Sequence, residues 1–467
     1  MKKMSVAGKK FLVAGLGKSG LAAARFLKDR GGRVTAADSA GPEKLGRFFE
    51  AAREAGIALE LAERFNAAFE DAERIVISPG IPHDIEPVQR ARERGVSVIG
   101  EIELASRFIP APIAAITGTN GKTTVATLVG RMLEESGARV YVGGNIGTPL
   151  IDCAGSHEKY DVVVAEISSF QLETVETFKP KTAVMLNITE DHLDRHRDMD
   201  TYAGAKARIF ENQDSTDFAV LNGFDPQVLE RAAGVRSTSL VFGGGKGFDG
   251  AAALQGKRIV FGPAVKRLPG FARARDIDLG QAGLVGRHNH ENIAASFLAA
   301  AASGGTFEGA LAALESFGGL PHRIQRVGAV DGADYYNDSK ATNADAALRA
   351  LEAFDRPVVL IMGGRDKNAD FAVLSEAIRK RVKTLVVMGE AAKKIESALG
   401  YPAPIKRAGS MEEAVFMAHG AARPGDVVLL SPGCASFDMY ESYAARGEDF
   451  ARAVHEIKGR RHVEDRD

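Results

Sequence analysis

Short apolar runs recur along most of the chain, and stretches with helical spacing of apolar residues separate them. That rhythm predicts parallel sheets flanked by helices. Lys10 to Ala14 reads as a first strand and Leu21 to Arg30 as the helix after it; Arg33 to Ala37 and Arg74 to Ser78 read as further strands. The segment Phe108-Ile109-Pro110-Ala111-Pro112 breaks any helix and marks a linker. A second unit opens at Ile113 to Ile116 and continues through strands at Asp161 to Ala165, Thr182 to Leu186 and Phe218 to Leu221. Between Ser239 and Gly286 the short alternating runs at 239–242 and 258–261 are separated by glycines and read as hairpins attached to that unit. A helix from Glu291 to Ala302 closes it. After a second break at Gly318-Gly319-Leu320-Pro321, strands at Val358 to Met362, Thr384 to Met388 and Val427 to Leu430 build a third unit.

A length of 467 residues suits these three units, at roughly 150 residues per domain. Hydrophobic residues make up 45% and charged residues 26%, which fits a soluble globular protein and excludes collagen-like and disordered classes. With 60 Lys+Arg against 61 Asp+Glu, the net charge of −1 supplies no field for nucleic acid or an anionic membrane. Any anion must be held by a local site. Cys153 and Cys434 are too few for a disulfide framework, so a reducing, cytoplasmic setting is expected. No apolar run approaches the roughly 20 residues of a membrane span. The N-terminal stretch imitates a signal peptide only briefly, because Lys18 interrupts it, and it reads as the first strand.

The most informative segment is Ile113-Ala-Ala-Ile-Thr-Gly-Thr-Asn-Gly-Lys-Thr-Thr124. A strand runs into a glycine-bearing turn, and a helix follows. Backbone N–H groups of such a turn, Gly118, Thr119, Asn120, Gly121 and Thr124 among them, can face phosphate oxygens. Lys122 places a point charge on the terminal phosphates, and the Thr123 hydroxyl suits Mg²⁺. The usual G-x-x-x-x-G-K-[ST] spacing is not met, since Ile116 stands where its first glycine would be. Mg²⁺ needs further oxygen ligands, and Glu166 ends a strand at the sheet edge where ligands bind. Asn187 to His192 follows another strand at that edge, so His192 is a second candidate at the triphosphate. His192 and His196 have zinc-like spacing, but no third matching ligand is near in sequence.

A second glycine turn, Gly15-Leu16-Gly17-Lys18-Ser19-Gly20, matches G-x-G-x-x-G, and Asp38 ends the next strand. Alone it is a dinucleotide fingerprint and raises an NAD-dependent oxidoreductase as a rival. Hydride transfer has no use for the phosphate loop in the other unit. A nucleotide-hydrolysing switch is a second rival, separated by whether phosphate release requires acid and amine substrates.

With these motifs in order, the chain resembles the Mur ligases, ATP-dependent amide-forming enzymes of peptidoglycan precursor synthesis. The resemblance runs through Gly118 to Thr124, Gly143-Gly-Asn-Ile-Gly-Thr-Pro149, Glu166-Ile-Ser-Ser-Phe-Gln171, Asn187 to His192, Arg287-His-Asn-His-Glu-Asn292, His322-Arg323 and Asp338-Ser-Lys-Ala-Thr342. Asn337 to Asn343, Gly363-Gly-Arg-Asp-Lys367 and Leu430 to Asp438 resemble the branch that adds D-glutamate to UDP-N-acetylmuramoyl-L-alanine. The Asp-Asn-Pro-Arg motif of the diamino-acid branch is absent. Arg365-Asp366 departs from the Asp-Gly expected before Lys367.

The resemblance implies an α/β fold of three domains. These are a Rossmann-like N-terminal domain (1–105) for the UDP substrate, a central P-loop ATPase-like domain (106–320) with a mostly parallel sheet, and a Rossmann-like C-terminal domain (321–467) for the amino acid. It implies ATP and Mg²⁺ as cofactors, no nucleic-acid partner and a monomer. It assigns the first glycine turn, Gly15, Gly17, Lys18 and Ser19, to the uridine diphosphate, with Asp38 and Ser39 at the uridine end. Lys122, His192 and Lys206 would be catalytic; Thr123 and Glu166 would hold one Mg²⁺, and His192 and Lys206 a second, Lys206 as a CO₂-derived carbamate. Asn292 and Arg323 would contact ATP and Asp338 its ribose. Asn145, Ser168 and His192 would face the acceptor, and Lys340, Thr342, Lys367, Ser436 and Phe437 would position D-glutamate. Substrates shared among three domains imply closure about Gly319-Leu320-Pro321.

Overall fold

The computed structural model describes residues 4–193, 195–244, 248–280, 286–400 and 403–464. They form two compact units. The first takes in the chain up to Ile188 with Ala203–Ile277 and Ile293–Leu314, and carries two sheets. The second takes in Thr189–Tyr202, Asp278–Asn292 and the chain from Glu315, and carries the third sheet.

The N-terminal sheet has strands β1 (Lys10–Ala14), β2 (Arg33–Asp38), β3 (Ala58–Leu61), β4 (Arg74–Ile77) and β5 (Ser97–Gly100) in the order β3-β2-β1-β4-β5. Every pairing is parallel. β1 lies where the order reverses, so the turn after Ala14 sits at the crevice that such sheets offer to ligands. Its helix runs from Lys18 to Asp29 and starts before the expected Leu21. The apolar periodicity begins only at Leu21, whereas the helical backbone begins as soon as extended Gly17 ends.

The central sheet comprises β6 (Ile113–Thr117), β7 (Val140–Gly144), β8 (Val162–Glu166), β9 (Thr182–Met185), β10 (Phe218–Asn222), β11 (Thr238–Gly243), β12 (Ala252–Gln255), β13 (Arg258–Phe261) and β14 (Ile277–Asp278). Their order is β14-β13-β12-β11-β10-β9-β6-β8-β7. The expected pair of hairpins resolves differently. β11 pairs in parallel with both β10 and β12, and β12–β13 is antiparallel. Alternating burial reports a one-sided strand, not the direction of its neighbour.

The third sheet has β15 (Gln325–Val330), β16 (Ala333–Asn337), β17 (Val358–Gly363), β18 (Val382–Met388), β19 (Ile405–Arg407) and β20 (Val427–Leu430), in the order β15-β16-β20-β17-β18-β19. The β15–β16 hairpin is antiparallel and the other pairings are parallel. β17 is apolar throughout because both its faces are covered: Leu360 and Met362 join one core, Val359 and Ile361 the other.

The link between the first two sheets is not a free strap. The helix Glu101–Ser106 is buried at every residue. Its Glu103 carboxylate accepts the amides of Glu176, Thr177 and Phe178 and pairs with Arg107 at 2.7 Å. Among the described residues no helix is long and apolar enough to cross a membrane.

Candidate active site

β6 delivers Gly118 to Thr124 at its C-terminal end, and the helix Lys122–Glu135 follows from Gly121, which holds φ +87°. Gly118 has φ +151°, and a Cβ there would lie 2.9 Å from the Leu186 Cβ, so glycine is required for the turn to pass under β9's exit. Asn187 braces the loop at two points: its Oδ1 accepts from the Asn120 amide at 2.8 Å and its Nδ2 donates to the Asn120 carbonyl at 3.1 Å. The Thr119 amide donates to the Asn187 carbonyl at 2.9 Å. Lys122 Nζ donates to the Gly118 and Thr119 carbonyls at 2.8 and 2.9 Å. Lys206, only 1% exposed, donates to the same Gly118 carbonyl at 2.9 Å. Two cations therefore stand on the loop that sequence reasoning singled out. Thr123 is half-buried in the first helical turn, and Thr124 is buried.

β8 pairs with β6 so that Glu166 lies opposite Ile116, directly beside the loop. Its side chain is buried; Oε1 accepts from Asn145 Nδ2 at 2.7 Å, and Oε2 has no hydrogen-bond partner. A buried carboxylate oxygen left open at the strand end next to the glycine loop fits a hard divalent cation such as Mg²⁺. Among the described residues no cluster of three His, Cys, Asp or Glu gathers as a metal site. Lys206 as an ammonium offers no oxygen ligand, so it suits a metal only after conversion to the carbamate. Ser168 sits at the end of the next segment as the N-cap of the short helix Ser169–Leu172, in a capping box with Gln171.

In the N-terminal sheet, Gly15 holds φ +93° and Ser78 Oγ donates to its carbonyl at 2.9 Å. Gly17 faces open space. Both Asp38 oxygens are engaged, accepting the Leu16 amide at 2.7 Å and the Ala40 amide at 2.8 Å. Asp38 thus ties the glycine turn to the end of β2, and Ser39 beside it is exposed. Lys18 Nζ donates to the Gly147 carbonyl, which connects this turn to the loop carrying Asn145.

The second unit gathers a further set. Asp191 accepts from Asn343 Nδ2 at 3.2 Å and lies 3.5 Å from Lys367 Nζ. His192 follows with φ +58°, a left-handed conformation rare for a non-glycine residue. Lys340 Nζ stands 3.8 Å from the centre of the Tyr443 ring. Thr342 is half-buried, Ser436 is 2% exposed, and Phe437 is 63% exposed. Arg365 pairs with Glu390 at 3.1 Å and Asp366 with Lys394, so the departure before Lys367 is absorbed by local ion pairs.

Asp338 is buried, accepting from Ser431 Oγ at 2.9 Å and the Ile324 amide at 3.2 Å. Burial pushes its carboxyl up to about 7, opposed by those hydrogen bonds and by the charges of Arg323 and Arg446. Asn292 Nδ2 donates to Asn289 Oδ1 at 3.3 Å, in the same helix. Burial, with Arg349 adding to it, drives the nearby His288 imidazole down to about 3, so it is neutral at pH 7. Burial lifts the Cys434 thiol to about 12, which makes it a packed side chain and no nucleophile.

Sequence reasoning missed two residues here. Asp191 stands 176 positions from Lys367, and nothing local signals the pair. Arg446, 2% exposed, donates to the Ser339, Cys434, Ala435 and Gly363 carbonyls and so ties three motif segments together.

Comparison with known proteins bears on all of this. Residues 9–100 match the model of the Mur ligase MurD-like N-terminal domain, 116–300 the Mur ligase middle domain, and 322–434 the Mur ligase glutamate ligase domain. The UDP-N-acetylmuramoylalanine–D-glutamate ligase of Desulfosudis oleivorans is 49% identical over 459 residues, 98% of each chain. That of Desulfatibacillum aliphaticivorans is 48% identical, covering 97% of this chain and all of its own. Among solved structures, a pseudomurein peptide ligase type C from Methanothermus fervidus aligns with a TM-score of 0.61 at 17% identity, over 96% of this chain and 100% of that one. A UDP-N-acetylmuramate–alanine ligase from Thermotoga maritima aligns at 0.56 and 20% identity, over 97% and 99%.

Proposed function

The chain belongs to the Mur ligase family, and from that premise we propose that it joins D-glutamate to UDP-N-acetylmuramoyl-L-alanine with ATP, a step of peptidoglycan precursor synthesis. The observation that carries the choice of substrates is the near-full-length identity to D-glutamate ligases. The loop at Gly118–Thr124 beside the open Glu166 oxygen supports the dependence on ATP.

A carboxylate does not react with an amine until its oxygen is made a leaving group. Transfer of the γ-phosphoryl group gives an acyl phosphate; the amine of D-glutamate attacks its carbonyl carbon, and phosphate departs. The first transfer presses two anions together, and the chain's task is to offset that repulsion. Amides of the Gly118–Thr124 turn hold the phosphates, and Lys122 exchanges its loop carbonyls for the γ-phosphate. Lys206 steadies the loop from below through the Gly118 carbonyl. Thr123 and Glu166 would hold Mg²⁺, with His192 and a carbamylated Lys206 at a second ion; bound there, the metal screens charge on the phosphates. Asn292, Arg323 and Asp338 serve ATP.

Gly15, Gly17, Lys18 and Ser19 receive the diphosphate of the acceptor, with Asp38 and Ser39 at its uridine end, and Asn145, Ser168 and His192 its peptidyl end. Lys340, Thr342, Lys367, Ser436 and Phe437 position D-glutamate, whose two carboxylates need cations while its amine stays free. The domains we assign are 1–105, 106–320 and 321–467, in a cytoplasmic monomer.

The test is phosphate release with ATP and Mg²⁺. Release should require both the UDP-acceptor and D-glutamate. Faster release with L-alanine or a diamino acid would reassign the amino acid, and release without either substrate would remove the ligase reading.

A further inference from the structure

The loop Gly143–Pro149 links three things: the first glycine turn through Lys18, the Glu166 carboxylate through Asn145, and the helix Leu150–Gly155 that follows it. Its own turn is closed by the Gly144 amide on the Thr148 carbonyl at 2.8 Å. From β7, the Tyr141 hydroxyl meets Thr148 Oγ1 and the Pro149 carbonyl, both at 2.7 Å. The Asn145 amide donates to the Glu166 carbonyl at 2.8 Å, so the loop is pinned to β8 by backbone as well as side chain.

One support comes from outside the central sheet. Glu101 opens the buried helix that follows β5, and its Oε1 accepts the Ile151 amide at 2.6 Å. The carboxyl is 2% exposed, and its Oε2 has no hydrogen-bond partner. Burying a carboxyl with one oxygen unsatisfied costs free energy that an apolar residue would avoid. Burial pushes the group up to about 7; the Ile151 and Leu150 amides oppose that rise and Asp152 adds to it. Ile151 is the second residue of the helix Leu150–Gly155 and is buried, so its amide has no acceptor within the helix and takes one from Glu101 instead.

We propose that Glu101 is a positioning residue for the acceptor end of the site: by holding the Ile151 amide it sets the loop Gly143–Pro149 so that Asn145 meets Glu166. The inference rests on the proposed roles of Asn145 and Glu166. It gives the buried helix Glu101–Ser106 a purpose beyond joining two sheets. Glu103, two residues on, fixes the 176–178 segment downstream of Ser168 in the same way.

The experiment is a double-mutant cycle of Glu101→Ala and Asn145→Ala in the full chain, read by calorimetric binding of UDP-N-acetylmuramoyl-L-alanine and by the KM of each substrate. Each single variant should weaken acceptor binding about tenfold and leave the KM for D-glutamate unchanged. The double variant should be no weaker than Asn145→Ala alone, because both act through one loop. Glu101→Gln, which keeps an oxygen for the Ile151 amide, should restore most of the affinity. Additive losses, an innocuous Asn145→Ala, or an equal rise in the KM for D-glutamate would each overturn the inference. If Glu101→Ala does not fold, Glu101→Gln against Glu101→Leu decides: equal affinities for the acceptor overturn it. Failure of the wild-type chain to use D-glutamate would instead remove the functional reading.

Discussion

The chain builds the same device twice, a strand running into a glycine turn and then a helix, and equips the two copies differently. After β1, the acidic partner Asp38 spends both oxygens on backbone amides, of Leu16 and Ala40. After β6, the acidic partner Glu166 gives one oxygen to Asn145 and leaves the other open in a buried position. The lysines differ in the same sense. Lys18 reaches away from its turn to Gly147, whereas Lys122 folds back on its own loop, where Lys206 joins it. The first turn is thus a cradle whose acid serves geometry; the second is a cradle with a cation-ready acid and a lysine, Lys122, folded onto its own loop. A diphosphate that only has to be held needs the first kind. A triphosphate that must surrender its end group needs the second, because charge moves in the reaction.

The sharpest way to break this contrast is at the lysines. Lys122→Ala should lower turnover by about a thousandfold or more while the thermal midpoint stays within a few degrees, since a half-buried residue at the first position of its helix carries little core packing. A variant that unfolds would show the loss to be structural. Next in size, Glu166→Ala should cost about 10²–10³ in kcat and shift the Mg²⁺ concentration for half-maximal rate upward. An unchanged Mg²⁺ profile would take the metal away from this oxygen. Asp38→Ala removes two charge-assisted hydrogen bonds, one to the first turn at Leu16 and one to Ala40 beyond β2, worth about 1.5–3 kcal/mol each in general. It should raise the KM for the UDP substrate by about tenfold or more and leave kcat nearly alone. A fall in kcat with KM unmoved would mean that the two turns do not divide the labour in this way.

How far the sequence carried these assignments depends on whether their signals are local. The loop Gly118–Thr124 was readable because strand, glycines, lysine and threonines lie within one segment, and Glu166 because a buried strand ends in a charge. The open oxygen of Glu166 was not readable, since it depends on Asn145 contributing only one donor across 21 positions. Likewise Asp38 was legible as a residue ending β2, but its attachment to two amides needs coordinates. β7 escaped notice because Gly143 and Gly144 end a half-buried run whose alternation is weak. The pairing of Asp191 with Lys367 and the reach of Arg446 join distant segments, and periodicity carries no information about either.

The glycines offer the finest test, because the two turns use them differently. At Gly118 the backbone is left-handed and a Cβ would meet both Leu186 at 2.9 Å and the Asn187 amide at 3.3 Å. Gly118→Ala should therefore cost on the order of 1–3 kcal/mol of stability, read as a lower denaturant midpoint. Gly17 is extended, with φ −89°, and a Cβ there meets nothing within 4 Å. Nothing in the fold asks for glycine at this position, so Gly17→Ala should change stability by no more than about 0.5 kcal/mol. The remaining reason for glycine is the close approach of a ligand to the backbone at the helix start. The alanine methyl should then raise the KM for the UDP substrate by about threefold to tenfold, a cost of roughly 1 kcal/mol, while the KM for ATP stays fixed. If ATP suffers and the UDP substrate does not, the two cradles have been assigned the wrong way round.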